Sequence, residues 1–187
     1  EFYYREAYNI YREFQDTASW LQAGKEYASA MVYRSKNEEA MQLYKMLLDI
    51  DHPANDTYNR GDLYTSMGWS SNRMGKTDQA KEYYNKALPL AQESGDSLLI
   101  GTVYNNLGSV HLRRGNHPTT LEYYQRALNY YSNKRYRAVT LSNIGGIYSE
   151  LNLYNKALEY FNRSLKIRQE IASVYLLANI YNRIGVA

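Results

Sequence analysis

A short phrase ending in glycine recurs along the chain at a nearly constant interval, and that repetition restricts the fold more than any other feature. It reads Tyr64-Thr65-Ser66-Met67-Gly68, then Tyr104-Asn105-Asn106-Leu107-Gly108, then Leu141-Ser142-Asn143-Ile144-Gly145. A fourth copy, Tyr181-Asn182-Arg183-Ile184-Gly185, stands near the end, so the glycine-to-glycine steps are 40, 37 and 40 residues. A second block, rich in Tyr, Ala and Leu, follows each of the first three phrases at 80–88, 120–128 and 157–165. A degenerate copy with Ala40, Tyr44 and Leu47-Leu48 lies 40 residues before the first of these. Periods of this size come from stacked supersecondary units, each burying the apolar face of its neighbour.

The spacing inside each block is helical. Ala80, Tyr83, Tyr84, Ala87, Leu88 and Ala91 follow the i, i+3, i+4, i+7 pattern of an amphipathic helix. Each repeat is therefore a helical hairpin. Its turn carries breakers: Gly75-Lys76-Thr77-Asp78, Gly115-Asn116-His117-Pro118 and Leu151-Asn152-Leu153. Thr77 and Asp78 are the expected N-caps, and Pro118 suits a first helical turn. The reading gives an opening helix over 1–15, hairpins over 21–57, 61–96, 101–134 and 138–172, and the first helix of a further repeat over 173–187. That makes ten helices in one solenoid. The last has an apolar face (Val174, Tyr175, Leu177, Ala178, Tyr181, Ile184) that a further repeat, or a second copy of the chain in a homodimer through the terminal helices, is expected to cover.

Composition decides what else the chain can be. With 44 % hydrophobic and 22 % charged residues it is too apolar for disorder. Only three prolines interrupt it, which favours helix. The 22 tyrosines suit half-buried seams between helices, where a ring packs and its hydroxyl stays wet or bonded. The net charge of +3 is spread out, and the densest basic patch is Lys134, Arg135 and Arg137, so a nucleic-acid partner is not expected. Without cysteine there is no disulfide and no thiolate metal site, and either a cytoplasmic or a periplasmic compartment fits. No apolar run is long enough for a membrane span and no signal peptide is present. The chain starts at Glu1-Phe2 without Met and stops at Ala187, and both ends read as internal to a longer protein.

The order aromatic, large apolar, Gly, then Ala, Tyr or Phe, then Ala-Leu resembles the tetratricopeptide signature. Met67, Gly68, Ala80, Tyr84 and Ala87 match it, with Tyr64 in place of the usual Trp. Leu107, Gly108, Tyr124 and Ala127 match in the next copy, where Thr120 departs from Ala. Ile144, Gly145, Tyr148, Ala157 and Phe161 match in the third. The first copy is weak, with Gly24 at the aromatic position and Ala28 at the glycine. The period exceeds the usual one of about 34 residues, as in the long repeats of bacterial sensor and regulator proteins, which this chain resembles most in style. The resemblance implies an all-α right-handed α-α superhelix of antiparallel hairpins that binds a peptide or protein segment in its concave groove.

Candidate chemistry is sparse. Residues 70–77 nearly spell a phosphate loop, but Ser70 replaces the first glycine and no strand precedes it, so a hairpin turn is the better reading. His52, His111 and His117 stand apart, without a second ligand at helical spacing. No catalytic residue, metal site or cofactor is expected. The sharper signal is Asn106 and Asn143, with Arg183 at the same place in the last copy. In the proteins this chain resembles, that position faces the groove, where an amide can grip one peptide unit without reading its side chain. Asn105, Asn182, Arg73, Arg113 and Trp69 are expected beside them. The repeated Arg73 and Arg113 suggest an acidic partner or one with a free carboxylate. Two other functions remain open: a structural, self-associating module with no groove ligand, and glycan binding through exposed Trp69 and Tyr33.

Overall fold

The computed structural model describes the backbone of residues 5, 6, 9, 17–50, 52 and 54–184, and side chains through 171. The described residues form eight helices and no strand. They are α1 (Thr17–Tyr33), α2 (Asn37–Leu48), α3 (Thr57–Arg73), α4 (Thr77–Ser94), α5 (Ser97–Arg113), α6 (His117–Tyr130), α7 (Lys134–Glu150) and α8 (Tyr154–Ile184). They pair as four hairpins, α1 with α2 through α7 with α8, and each hairpin packs on the next. The first helices also touch one another, α1 on α3 and α3 on α5. The result is an all-α repeat solenoid. The expected opening helix over 1–15 lies outside the described residues, apart from helical Arg5, Glu6 and Asn9.

One turn design closes all four hairpins. Each has a single left-handed residue: Ser35 (φ 62°), Gly75 (φ 75°), Gly115 (φ 69°) and Asn152 (φ 59°). The next residue's N–H reaches back to a carbonyl five positions earlier: Lys36 to Met31 at 3.0 Å, Lys76 to Ser71 at 2.9 Å, Asn116 to His111 at 3.0 Å and Leu153 to Tyr148 at 2.8 Å. That bond satisfies a carbonyl the helix end would otherwise leave open. It also corrects the expected caps. The turn makes Lys76 the N-cap of α4, with no side-chain bond, and draws Thr77 and Asp78 inside the first turn. Asp78 instead pairs with Arg114 at the next hairpin's turn. True side-chain caps start α3 and α5, where Asp56 accepts from Asn59 N at 2.9 Å and Asp96 from Leu99 N at 2.7 Å.

The core is built from ring-on-glycine contacts. A Cβ on Gly68 would sit 2.5 Å from the Tyr84 ring, on Gly108 2.6 Å from Tyr124, and on Gly145 2.8 Å from Phe161. The rings of Tyr44, Tyr84 and Tyr124 are fully buried, and Ala28 serves over Tyr44 where the other hairpins have glycine. A repeated helix-interior glycine, which costs about 1 kcal/mol in propensity, is thus compensated by a close-packed ring. Gly101 does the same against Tyr131 at 2.7 Å, a contact outside the repeat signature.

The boundary expected between 172 and 173 falls inside α8, which runs unbroken for 31 residues. The junctions before α3 and α5 carry His52-Pro53 and Gly95-Asp96, and the one before α7 carries Ser132-Asn133, whose Asn133 caps α7; Ile171-Ala172-Ser173-Val174 has no Gly, Pro, Asn or Asp to stop the helix. The expected apolar face from Val174 to Ile184 lies outside the described side chains. On the earlier part of α8, Leu158 and Leu165 are uncovered, whereas Leu48 and Leu128, the counterparts of Leu165 in other hairpins, are buried.

Candidate functional site

The first helices α1, α3, α5 and α7 set the same positions side by side. Two residues before each core glycine or its equivalent Ala28 stand Glu26, Ser66, Asn106 and Asn143; one residue after stand Ser29, Trp69, Ser109 and Gly146; five after stand Tyr33, Arg73, Arg113 and Glu150. Residues three, four and seven apart share a helix face, so these rows lie on one surface of the solenoid. Two concavities open on it. One, of about 400 Å³, is lined by Glu26, Ser29, Tyr33, Asp62, Thr65, Ser66, Trp69, Thr102 and Asn106. The other, of about 390 Å³, is lined by Ser109, Leu112, Tyr124, Ser142, Asn143, Gly146, Ile147 and Glu150. A larger hollow of about 550 Å³ lies elsewhere, at the hairpin turn tips around Ser35, Lys36 and Lys76.

The structure brings Trp69 and Asn106 into the first concavity and places Asn143 in the second. Among the described residues neither Asn106 nor Asn143 has a hydrogen-bond partner for its amide, although both are only half exposed. Asn105 differs. Its Oδ1 accepts from Thr140 Oγ1 at 3.2 Å, so it ties α5 to α7 and lines neither hollow. Arg73 stands at the open edge of the first concavity, its guanidinium 4.8 Å from the Tyr33 ring centre and 5.1 Å from that of Trp69. Arg113 is exposed and lines neither hollow. The side chains of Asn182 and Arg183 lie outside the described residues.

Sequence reasoning left Glu26, Asp62 and Ser66 out of the site. The register that singles out Asn106 also marks Ser66 and Glu26, one and two repeats earlier. Asp62 is ion-paired by Lys25, both largely buried, and Glu26 accepts from Gln22 at 2.9 Å. The Tyr33 and Trp69 rings, 5.2 Å apart and tilted by 54°, form no flat platform for a sugar. Most other described tyrosines are buried in the core or packed half-buried against it. Burial pushes the Tyr84 hydroxyl well above its ordinary pKa, with a small opposing pull from Arg113, and pushes Tyr131 up to about 12.

The histidines have local roles. His111 stacks on Tyr123 at 5.4 Å, and burial, then Lys81 and Arg114, lower its pKa. His52 Nδ1 accepts from Ala54 N at 3.0 Å, and His117 Nδ1 lies 3.8 Å from Glu150. Among the described residues no three acidic or histidine side chains converge as metal ligands. No helix among them is long and apolar enough to cross a membrane.

A family model described as tetratricopeptide repeat matches residues 67–133 and 99–170, which together exceed half of the chain. No curated protein matches it in sequence. Among solved structures it is similar to BtubC (BKLC) from P. vanneervenii, at 21 % identity over 89 % of this chain and 70 % of that one, with a TM-score of 0.75. It is similar to aspartyl phosphate phosphatase F from Bacillus subtilis at 15 % identity, over 94 % of this chain and 47 % of the other, with a TM-score of 0.80. A signal transduction ATPase with numerous domains and a tetratricopeptide repeat sensor, from Pyrococcus horikoshii, shares 23 % identity over 89 % of this chain and 25 % of its own, with a TM-score of 0.69. At these identities the likeness is one of fold.

Proposed function

Because the chain belongs to the tetratricopeptide repeat family, we propose that it is a protein-interaction module whose concave face holds an extended segment of a partner protein, and that it serves as the sensing or docking part of a larger regulatory protein. The carrying observation is the pair Asn106 and Asn143. They occupy one register on α5 and α7, each lines a concavity, and each amide is free of internal bonds among the described residues. An amide offers one donor and one acceptor face to a peptide unit. Neighbouring helices lie about 8–10 Å apart and an extended chain advances about 3.3 Å per residue. The two amides therefore meet a ligand roughly every third residue. The sensor role draws support from the printed description of the Pyrococcus horikoshii protein, a far longer chain. Binding requires no catalytic group, and the reading includes none.

The test is capture of partners on the intact protein beside Asn106→Ala/Asn143→Ala. Losing two bonds of about 1 kcal/mol each weakens binding roughly thirtyfold. Both side chains are half exposed, so the melting temperature stays within about 1 °C. Equal capture by the two proteins would end this reading.

A further inference from the structure

We propose that the concavity between α5 and α7 is a pocket for one basic side chain, Lys or Arg, of the bound segment, opened by Gly146 and ended by Glu150; the proposal rests on the groove-binding reading above. Gly146 is a helix-interior glycine that packing does not explain. Its neighbour Gly145 is compensated by the Phe161 ring, 2.8 Å from where a Cβ would stand, whereas a Cβ on Gly146 would meet nothing within 4 Å. In the first and third hairpins this register holds a serine that bonds the buried tyrosine, Ser29 to Tyr44 at 2.9 Å and Ser109 to Tyr124 at 3.1 Å. In the fourth hairpin Phe161 has no hydroxyl, so no serine is needed. That frees the position without calling for glycine, since alanine there would be about 1 kcal/mol better for the helix. A local cost with no structural return points to function.

The empty space lies on a line between two polar groups. Asn143, Gly146 and Glu150 are three and four residues apart on α7, so they share one face, and all three line the concavity. Seven residues, each rising about 1.5 Å, put Glu150 roughly 10 Å along the helix from the amide that grips the ligand backbone. Helical side chains lean back toward the N-terminus, so the carboxylate points toward that amide. Only a long side chain spans what remains, and the missing Cβ at 146 leaves its path clear. Leu112 and Ile147 flank the path, apolar surface for an aliphatic stem whose charged end stays wet beside the exposed carboxylate. The charge is negative. Glu150 is the one charged residue lining this concavity among the described residues. It has the His117 imidazole, a group with no fixed charge, 3.8 Å away, while the described ion pairs of Lys and Arg go to other carboxylates. Arg113, at the register of Glu150 on α5, lines neither hollow, and its charge is felt at Tyr84 on α4. A Leu or Met in the pocket would leave Glu150 without a counter-charge, and an Asp or Glu would meet like charge.

Three pools of octapeptides, acetylated, amidated and otherwise random in uncharged residues, test the pocket. Position four is Lys in one, Arg in the second and norleucine in the third, which keeps the stem and lacks the charge. Each is captured on the intact protein and quantified. Wild type takes the Lys or the Arg pool about tenfold over the norleucine pool. Glu150→Gln, which keeps the shape and removes the charge, brings that ratio to about one. Gly146→Leu fills the path and also abolishes the preference, yet it raises the melting temperature, because nothing opposes the new Cβ and glycine is the poorer helix former. Selectivity lost while stability rises is a pair of signs that a glycine kept for packing would not give. Asn106→Ala/Asn143→Ala lowers capture of every pool, as the groove reading requires. Equal capture of the three pools, a preference for norleucine, or a ratio that survives Glu150→Gln overturns the pocket and leaves the groove reading standing. Capture of none overturns both.

Discussion

Replacing Tyr84 by Phe removes a hydroxyl that the fold buries without a partner. In the unfolded chain that hydroxyl bonds water, and in the fold it bonds nothing. Its removal is expected to stabilise the protein by about 1 kcal/mol, the low end of the roughly 1–3 kcal/mol attached to an unpaired buried polar group. The same change at Tyr124 deletes a real bond. The Ser109 hydroxyl keeps its second contact, to Asn105 O at 3.1 Å, so no new orphan forms, and the cost is about 1 kcal/mol. Tyr44→Phe follows Tyr124→Phe, through Ser29. For a chain of this size about 1 kcal/mol moves the melting temperature by roughly 2–4 °C. Thermal melts followed by helical circular dichroism should show Tyr84→Phe moving up and the other two moving down. The sign at Tyr84 should reverse in a Trp69→Ser background, where the hydroxyl gains a partner. Alkaline titration gives a second reading. Burial holds the folded-state pKa of Tyr84 above its unfolded value near 10. Stability is then complete below pH 10 and falls as the unfolded chain, but not the folded one, releases that proton. Tyr84→Phe makes that fall shallower. If Tyr84→Phe is as destabilising as Tyr124→Phe, the hydroxyl has a partner and the reasoning fails.

The glycines give a graded series. Ala at Gly108 drives a methyl to 2.6 Å from the fully buried Tyr124 ring; overpacking of about 1–3 kcal/mol exceeds the propensity gain of about 1 kcal/mol, so the variant is less stable. Gly145→Ala meets Phe161, 37 % exposed and able to swing, and costs less, while Gly146→Ala meets nothing and stabilises by about 1 kcal/mol. Urea midpoints should rank Gly146→Ala above Gly145→Ala above Gly108→Ala, and any other order contradicts the ring-on-glycine account. His111 carries a pH dependence. Its folded-state pKa is lowered, by burial first and then by Lys81 and Arg114, so stability is complete above the unfolded value near 6.5 and declines as pH falls through it. His111→Gln should flatten urea midpoints between about pH 5 and 7; a profile parallel to wild type would refute the assignment.

Where the sequence was legible, two distant residues had to change together. Gly68 with Tyr84, Gly108 with Tyr124 and Gly145 with Phe161 recur as couples because the ring occupies the space a Cβ would fill, and their spacing alone places two antiparallel helices against each other. Turns were legible where Gly75, Gly115 and Asn152 tolerate a left-handed backbone, and silent at Ser35, a residue with no special claim to that conformation. Thr77 and Asp78 misled because a capping residue type was read without the turn in front of it, whose bond to Ser71 fixes where α4 begins. The site was harder. Asn105 and Asn106 are adjacent, polar and equally half-buried, and one residue of helix rotation sends the first to Thr140 and the second to the open face. Periodicity separates core from surface; it does not separate one polar surface from another.

The rows of the groove place different side-chain chemistry on different helices, and that has a geometric consequence. The core positions are nearly invariant in kind from hairpin to hairpin, so a ligand can distinguish one repeat from another only through the exposed rows. Those rows change character along the stack: rings and a guanidinium at Tyr33, Trp69 and Arg73, then a free amide at Asn106, then a second at Asn143 beside the gap left by Gly146. Amides that grip peptide units are indifferent to side chains, so they set affinity and hold the segment extended, while the unlike ends of the rows are what can tell one segment from another. From α3 to α7 is two helix steps, about 16–20 Å, which an extended chain covers in roughly five or six residues. A shorter ligand reaches the α3 edge of the groove or the second amide but not both. Selectivity and full affinity therefore arrive together only when the bound segment is at least that long.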